Sequence, residues 1–191
     1  MSLSNLKSAL PRVDVTGVLV TAIPFRQHIE TMTTWAKQRA SKVVCVANVH
    51  MLMESHWNER LRDTLDKSDL VTPDGMPLVW MMRALGVKNQ ERVAGMDIFL
   101  AICQEAVKYD IGVYLLGSTN DVLERMQVKL KQDFPALKLV GAESPPFRPL
   151  TETEDCELVK RINASGAGFT FVALGCPKQE CWMADHCGRI K

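Results

Sequence analysis

Apolar positions follow two different periods along most of the chain. Short apolar runs, typical of strands buried on both faces, lie at residues 42–47, 69–72, 112–116, 137–141 and 168–174. Between these runs, apolar residues recur at intervals of three or four, as on one side of a helix. In the first of these helical segments, the apolar side is predicted to contain Met53, Trp57, Leu61 and Leu65. Strands that alternate with helices at this spacing indicate βαβ units and a mainly parallel sheet.

The N-terminal part follows a different pattern. Residues 13–22 have Gly17 at their middle and predict a small hairpin or two short strands. An amphipathic helix is predicted to follow, with one side formed by Phe25, Ile29, Met32, Trp35 and Ala36. Because the chain shows no repeat, low-complexity tract or linker, we expect residues 1–191 to form a single α/β domain. Its expected fold is a Rossmann-like, mainly parallel sheet covered by helices, with a small N-terminal hairpin-plus-helix element.

One helix start is marked by its own signature. Thr151 followed by Glu154 is a capping box. The helix that begins there is predicted to bury Leu158, Val159 and Ile162. Three of the four tryptophans, at 35, 57 and 80, are interpreted as core residues rather than as a platform for a sugar. An apolar face of Trp80, Met81 and Met82 toward a lipid or another subunit stays open as the alternative.

Composition excludes several classes of function. The 23 Lys and Arg residues nearly balance 22 Asp and Glu residues, so no broad basic field is available for nucleic acid. No apolar run reaches the length of a membrane-spanning helix, and the polar N-terminus lacks the apolar segment of a secretory signal. We therefore expect a cytoplasmic protein that has no nucleic-acid partner.

The six cysteines are interpreted as reduced thiols. Cys45 and Cys103 lie inside apolar runs and resemble small core residues. The cluster formed by Cys176, Cys181, His186 and Cys187 lacks the paired spacing of a structural zinc site. No metal site is expected.

Glycine and polar residues follow the predicted strands, where ligands of open parallel sheets bind. They are Asn48, Asp74, Gly75, Gly117, Ser118 and residues 175–180, joined by Gly95 and Asp97 at a helix start. Glycine permits a close approach of the backbone, and helix N-termini favour anions, so these turns predict a phosphorylated ligand. For each residue, an ordinary role in a turn or helix cap stays open.

Several established signatures are absent from the sequence. G-x-G-x-x-G, G-x-x-x-x-G-K-[ST] and G-x-S-x-G do not occur, which argues against dinucleotide binding, a P-loop nucleotidase and an α/β-hydrolase. D-x-D, which holds a divalent metal in many sugar transferases, does not occur either.

Five strings in a fixed order carry a family resemblance. They are residues 44–48, 68–75 (SDLVTPDG), 91–97 (ERVAGMD), 115–118 (LLGS) and 174–180 (LGCPKQE). Together, from about residue 13 to the C-terminal end, they resemble the WecG/TagA/CpsF family of bacterial glycosyltransferases.

The resemblance implies a specific activity. It implies transfer of N-acetylmannosamine, its uronic acid or a glucose-type sugar from a UDP donor, with inversion and without a metal or other cofactor. The implied acceptor is a polyprenyl-diphosphate-linked saccharide at the inner face of the membrane, used for teichoic acid or exopolysaccharide, so peripheral membrane contact is expected. A nucleotide-dependent oxidoreductase or epimerase, and a catalytically silent nucleotide-sugar-binding module, stay open as alternatives, as does a homo-oligomer.

The resemblance also implies residue roles. Asp74 is expected to act as the general base, and its alternative is a cap for the helix near Met76. Asn48 is expected to hydrogen-bond sugar hydroxyls, and His50, close to the strand end, is expected in the site. Arg92 and Lys178 are expected near phosphate, with surface salt bridges as the alternative for both, and Gln179 near the uracil or a ribose hydroxyl. Glu180 is interpreted as an acid in the first turn of the next helix. The other expected substrate-binding residues are Gly75, Gly95, Asp97, Gly117, Ser118, Gly175 and Pro177.

Two departures from the family pattern stand out. Val46 lies where many members carry threonine, so a hydroxyl is not supplied there. Family chains also commonly continue for some fifty residues as an arginine-rich helical tail, and this tail is expected to be missing beyond Lys191.

Overall fold

The computed structural model describes residues 10–191, whose strands and helices alternate along most of the chain. In chain order the elements are β1 (Arg12–Val15), β2 (Val18–Thr21), α1 (Phe25–Lys37), β3 (Val44–Ala47), α2 (Val49–Trp57), α3 (Glu59–Lys67), β4 (Leu70–Pro73), α4 (Met76–Ala84), α5 (Gly95–Tyr109), β5 (Gly112–Gly117), α6 (Asn120–Asp133), β6 (Leu139–Glu143), α7 (Glu152–Ser165), β7 (Ala167–Ala173) and α8 (Lys178–His186). They form two compact units. The first contains the described residues up to Thr31, Lys42–Phe99 and Cys176–Asp185, and the second contains Met32–Ser41, Leu100–Gly175 and His186–Lys191.

The first unit begins with the predicted hairpin. β1 and β2 pair antiparallel, with Val15 opposite Val18. The tight turn between them needs a left-handed backbone at Thr16 (φ 54°) and Gly17 (φ 88°). The Asp14 side chain accepts a 2.7 Å hydrogen bond from the Gly17 N–H, which closes the turn. The hairpin prediction is confirmed.

A short parallel pair of strands forms the centre of the first unit. β3 and β4 lie in register, with Val44 opposite Leu70 and Ala47 opposite Pro73. Thr21 of the hairpin accepts a 3.0 Å hydrogen bond from the N–H of Val71, which connects the hairpin to β4. The core around these strands consists of buried aliphatic residues that include Val20, Cys45, Leu52, Leu61, Leu65, Leu78 and Met82.

The prediction that Met53, Trp57, Leu61 and Leu65 lie along one side of a single helix is wrong. Asn58 breaks the segment into α2 and α3, so a four-residue spacing does not continue across it. Leu61 and Leu65 are fully buried, whereas Met53 is 44% and Trp57 72% exposed.

The interpretation of the tryptophans as core residues is also wrong at two positions. Trp57 on α2 and Trp80 on α4 are mostly exposed, and Trp35 on α1 is half-buried. The faces of α2 and α4 that pack on the strands are formed by other residues, among them Leu52 and Leu78, so both indoles point outward.

The second unit contains a three-stranded parallel sheet. Its order is β6-β5-β7, and every residue of the central β5 is buried. α7 begins with the complete capping box between Thr151 and Glu154 and buries Leu158, Val159 and Ile162, as predicted. The α/β class with a mainly parallel, Rossmann-like arrangement is confirmed. Among residues 10–191, no helix has the length and apolarity needed to cross a membrane.

Candidate functional site

Asp74 lies just beyond the paired ends of β3 and β4. Its N–H donates a 2.7 Å hydrogen bond to the carbonyl of Ala47, the last residue of β3. The N–H of Val93 donates a 2.9 Å bond to the carbonyl of Pro73, the last residue of β4. The segment that precedes α5 is therefore attached to the same strand ends as Asp74.

The Asp74 carboxylate faces a helix start and a cation. Its Oδ2 accepts a 3.5 Å hydrogen bond from the N–H of Gly95, the first residue of α5. Its Oδ1 lies 3.6 Å from Nε of Arg92, and the Asp74 side chain is 31% exposed. Both contacts are long, so the carboxylate is oriented while its lone pairs stay accessible to a proton donor.

The alternative role of Asp74 as the cap of α4 is wrong. The N-cap of α4 is Gly75, at φ 106°, and no side chain caps that helix. Pro77 in the first turn has no N–H to be capped. Asp74 therefore does not have the helix-capping role that the Pro-Asp-Gly sequence predicts.

Asn48 and His50 follow β3 directly. The Asn48 side-chain oxygen accepts a 3.0 Å hydrogen bond from the N–H of Met51 and caps α2. The ordinary role in a helix cap is thus confirmed for this oxygen. His50 is exposed in the first turn of the same helix. A role for either residue in ligand binding stays a prediction.

Gly95 and Asp97 lie in the first turn of α5, with Asp97 exposed. A Cβ at Gly95 would lie 3.4 Å from the Val46 side chain and 3.9 Å from Asp74 Oδ2. The Val46 side chain therefore lies against the same helix start as Asp74.

The start of α8 carries the P-K-Q-E string. The peptide bond between Cys176 and Pro177 is cis, and α8 begins at Lys178. Lys178 is exposed, Gln179 is half-buried and Glu180 is fully buried. Gln179 Nε2 donates a 2.7 Å hydrogen bond to Glu180 Oε1. Sequence reasoning treated Glu180 as a first-turn acid and missed its burial, since a glutamate in that turn is normally exposed.

Burial keeps the nearby thiols protonated. Burial first, and then the negative charge of Glu180, raise the pKa of Cys176 to about 12. Burial also raises the pKa of Cys45 to about 12. All six cysteines are free, and Cys45 and Cys103 are buried as expected. Within residues 10–191, no three His, Cys, Asp or Glu side chains are grouped to hold a metal ion.

Gly117 and Ser118 form the turn after β5 in the second unit. Both have a left-handed backbone, at φ 110° and 64°. The Ser118 N–H donates a 2.9 Å hydrogen bond to the Ala173 carbonyl, and its own carbonyl accepts a 2.6 Å bond from Ser144 Oγ. A Cβ at Gly117 would overlap the Ala173 backbone. The fold thus requires this glycine, and phosphate binding here stays a prediction.

Gly175 follows β7 at φ 82°, with open space at its Cβ position. The structure therefore brings Asp74, Arg92 and Gly95 into contact within the first unit. It places Asn48 and His50 after β3, and Lys178, Gln179 and Glu180 in one turn of α8.

Parallel strands with polar residues beyond their carboxyl ends define a Rossmann-like α/β protein with a candidate ligand site at those ends. The chain belongs to the Glycosyl transferase WecG/TagA/CpsF family, whose model matches residues 13–191. The resemblance found in the sequence is thereby confirmed.

Two relatives share one name, N-acetylglucosaminyldiphosphoundecaprenol N-acetyl-beta-D-mannosaminyltransferase. The protein from Bacillus spizizenii is 30% identical over 85% of this chain, and the protein from Bacillus subtilis is 28% identical over 78% of it. The matched regions span 60% and 56% of the relatives' own lengths.

Proposed function

We propose that the protein is an inverting glycosyltransferase that moves N-acetylmannosamine, or a closely related sugar, from a UDP donor to a polyprenyl-diphosphate-linked saccharide. The observation that carries this proposal is the Asp74 carboxylate, oriented at the ends of β3 and β4 in a chain of this family. The relatives' names support the sugar and the lipid-linked acceptor.

The proposed reaction requires one general base and positive charge that stabilises the UDP leaving group. The acceptor hydroxyl oxygen attacks the anomeric carbon from the face opposite UDP, a new C–O bond forms, and the bond to the UDP oxygen breaks. Asp74 takes the hydroxyl proton as the attack proceeds. The electron pair of the broken bond leaves with UDP. Because the attack comes from the opposite face, the configuration at the anomeric carbon is inverted.

Cations of the chain would offset the charge on UDP. Arg92 is half exposed beside Asp74, and Lys178 is exposed at the start of α8. Side chains of this type bind diphosphate through charge-assisted hydrogen bonds, so the proposed reaction needs no metal and no cofactor. Asn48, His50, Gly75 and Gly95 complete the part of the proposed substrate site that lies in the first unit.

The acceptor defines where the reaction would occur. A polyprenyl chain stays in the bilayer while its diphosphate and saccharide reach the water, so the proposed enzyme works from the cytoplasm by peripheral contact with the inner membrane face. Its product would serve teichoic acid or exopolysaccharide synthesis.

The test is release of UDP from UDP-N-acetylmannosamine in the presence of a polyprenyl-diphosphate-linked N-acetylglucosamine. We expect turnover by the unmodified chain and at least about a hundredfold loss in Asp74→Asn, which keeps the shape but cannot accept the proton. Asp66→Asn, at an exposed position of α3, is the matched control and should retain activity. Donor binding without turnover by the unmodified chain would instead identify a binding module. Equal turnover by Asp74→Asn and the unmodified chain would eliminate Asp74 as the base.

A further inference from the structure

Helix α4 presents an apolar side to solvent. Its buried side is formed by Leu78, Val79 and Met82. The opposite side, the outer face of α4, consists of exposed residues at helical spacing: Met76, Pro77, Trp80, Arg83 and Ala84. Trp80 is 60% and Met76 37% exposed. An apolar face at Trp80 is therefore present, but Met82, which the sequence placed on it, is buried.

The outer face of α4 carries positive charge and no acid. No Asp or Glu occurs between residues 75 and 90, a segment that contains Arg83 and Lys88. Nε of Arg83 donates a 3.0 Å hydrogen bond to the Gln90 carbonyl, which connects the end of α4 to the loop with the exposed Lys88. At the other end, the charge of Asp74 is offset by Arg92 at 3.6 Å. The segment thus combines exposed apolar side chains with cations.

The other mostly exposed tryptophan of the first unit lacks this charge pattern. Trp57 on α2 is 72% exposed, and Glu54 and Glu59 lie within three residues of it. Exposed tryptophan therefore occurs in two settings in the same unit. Only the setting of Trp80 is complementary to a negatively charged surface.

This composition fits the surface of an anionic bilayer. Tryptophan prefers the headgroup region, and lysine and arginine near that surface are attracted by anionic lipids. Helices that lie in the interface combine an apolar side with such cations. A symmetric second copy of the chain would instead place Arg83 and Lys88 against the same cations of its partner, which like charge opposes. The charge pattern therefore favours a membrane over a second copy.

The outer face of α4 begins beside the proposed base. Met76 is the first residue of α4, and only Gly75 separates it from Asp74. The nine residues of the helix extend for about 13 Å. A membrane in contact with this helix would therefore lie close to the Asp74 carboxylate.

We infer that the outer face of α4 is the surface through which the first unit contacts an anionic membrane. The contact holds Asp74 near the headgroups, where the diphosphate and saccharide of a lipid-linked acceptor leave the bilayer. This placement of the acceptor rests on the proposed function, whereas the contact itself rests on the exposure and charge of α4.

The first test is co-sedimentation with vesicles of phosphatidylethanolamine and phosphatidylglycerol. We expect the unmodified chain to bind, and Trp80→Ser to bind about tenfold more weakly, because a large apolar side chain no longer enters the interface. Trp57→Ser is the matched control and should bind like the unmodified chain. Absence of binding by the unmodified chain, or equal binding by the two tryptophan variants, would overturn the inference.

The second test changes charge at one exposed position of the outer face. Ala84→Glu and Ala84→Lys both introduce good helix formers, so both variants should fold. Binding to the same vesicles should fall about fivefold with glutamate and rise about fivefold with lysine. With phosphatidylcholine alone the two variants should bind alike. Gln132→Glu, at an exposed position of α6, is the control and should have no effect. Equal binding of the two Ala84 variants to the anionic vesicles would contradict the inference.

Sedimentation velocity without lipid tests the competing occupant. The unmodified chain and Trp80→Ser should have the same oligomeric state. If Trp80→Ser instead dissociates an oligomer and leaves vesicle binding unchanged, the outer face joins two copies of the chain, and the inference is wrong.

UDP release separates this inference from the proposed function. With the acceptor embedded in vesicles, Trp80→Ser should lose about tenfold in turnover, in proportion to its weaker binding. With a water-soluble, short-chain acceptor it should match the unmodified chain. If Trp80→Ser equals the unmodified chain with both acceptors, only the inference fails. If the unmodified chain turns over neither acceptor, the proposed function fails, while vesicle binding that depends on Trp80 would still support the contact surface.

Discussion

Substitution of Gly117 by alanine should destabilise the second unit through two separate effects. The first is conformational, because φ 110° is a region that side chains other than glycine rarely adopt. The second is steric, because the new Cβ would overlap the backbone of Ala173 at the end of β7. Relief of that overlap would separate β5 from β7 and lengthen the 2.9 Å hydrogen bond from the Ser118 N–H to the Ala173 carbonyl.

The magnitude follows from adding these effects. The backbone conformation costs about 1–2 kcal/mol for an L-residue. Loss of the hydrogen bond adds about 1 kcal/mol, and strain from the overlap adds a further contribution of about 1 kcal/mol or more. We therefore expect at least about 3 kcal/mol of lost stability, or about 6–12 °C in melting temperature for a chain of this size.

The matched control is Gly17→Ala in the hairpin turn. Gly17 also has a left-handed backbone, at φ 88°, but nothing lies within 4 Å of its Cβ position. Its replacement should lower stability by only the conformational part, about 1–2 kcal/mol. Circular dichroism melts of both variants measure the difference. Equal losses in the two variants would refute the close approach of Gly117 to β7 as the reason for the glycine.

Two further outcomes are expected. Burial lowers the pKa of His28 from 6.5 to about 4, so the unfolded chain binds a proton before the folded chain does, and stability should fall as the pH drops from about 6.5 toward 4. His28→Asn, which can keep the hydrogen bond to the Pro24 carbonyl, should flatten this pH dependence in denaturant titrations, and an unchanged slope would contradict the assignment. For the proposed transferase, turnover in the UDP-release assay should be the same with and without EDTA, and its loss with EDTA and recovery with Mg²⁺ would refute metal independence.

Local patterns were sufficient for much of the fold. The hairpin around Gly17, the capping box of Thr151 and Glu154, and the buried face of α7 depend on residues close in sequence, and all three are confirmed. The strands differ from their predicted ranges by only one or two residues at most ends. Turn chemistry and periodicity are local properties, so the sequence displays them directly.

Tertiary contacts account for the errors. The exposure of Trp57 and Trp80 depends on which helix faces the strands cover, and hydrophobicity alone does not specify this. The burial of Glu180 is equally invisible to a local pattern. For Asp74, the order of the family strings indicated the position, but only the structure excluded the competing role as the cap of α4.

The junction between α2 and α3 at Asn58 tolerates substitution better than it tolerates insertion or deletion. The residue ends α2 through its N–H, which donates to the Glu54 carbonyl, and begins α3 through its side chain, which accepts from the Leu61 N–H. An inserted residue would rotate α3 by about 100° about its axis and carry Leu61 and Leu65 away from the core. Aspartate or serine in place of Asn58 would still cap α3. An insertion or deletion would change the register of α3 relative to α2, because Asn58 is the single residue between the two helices.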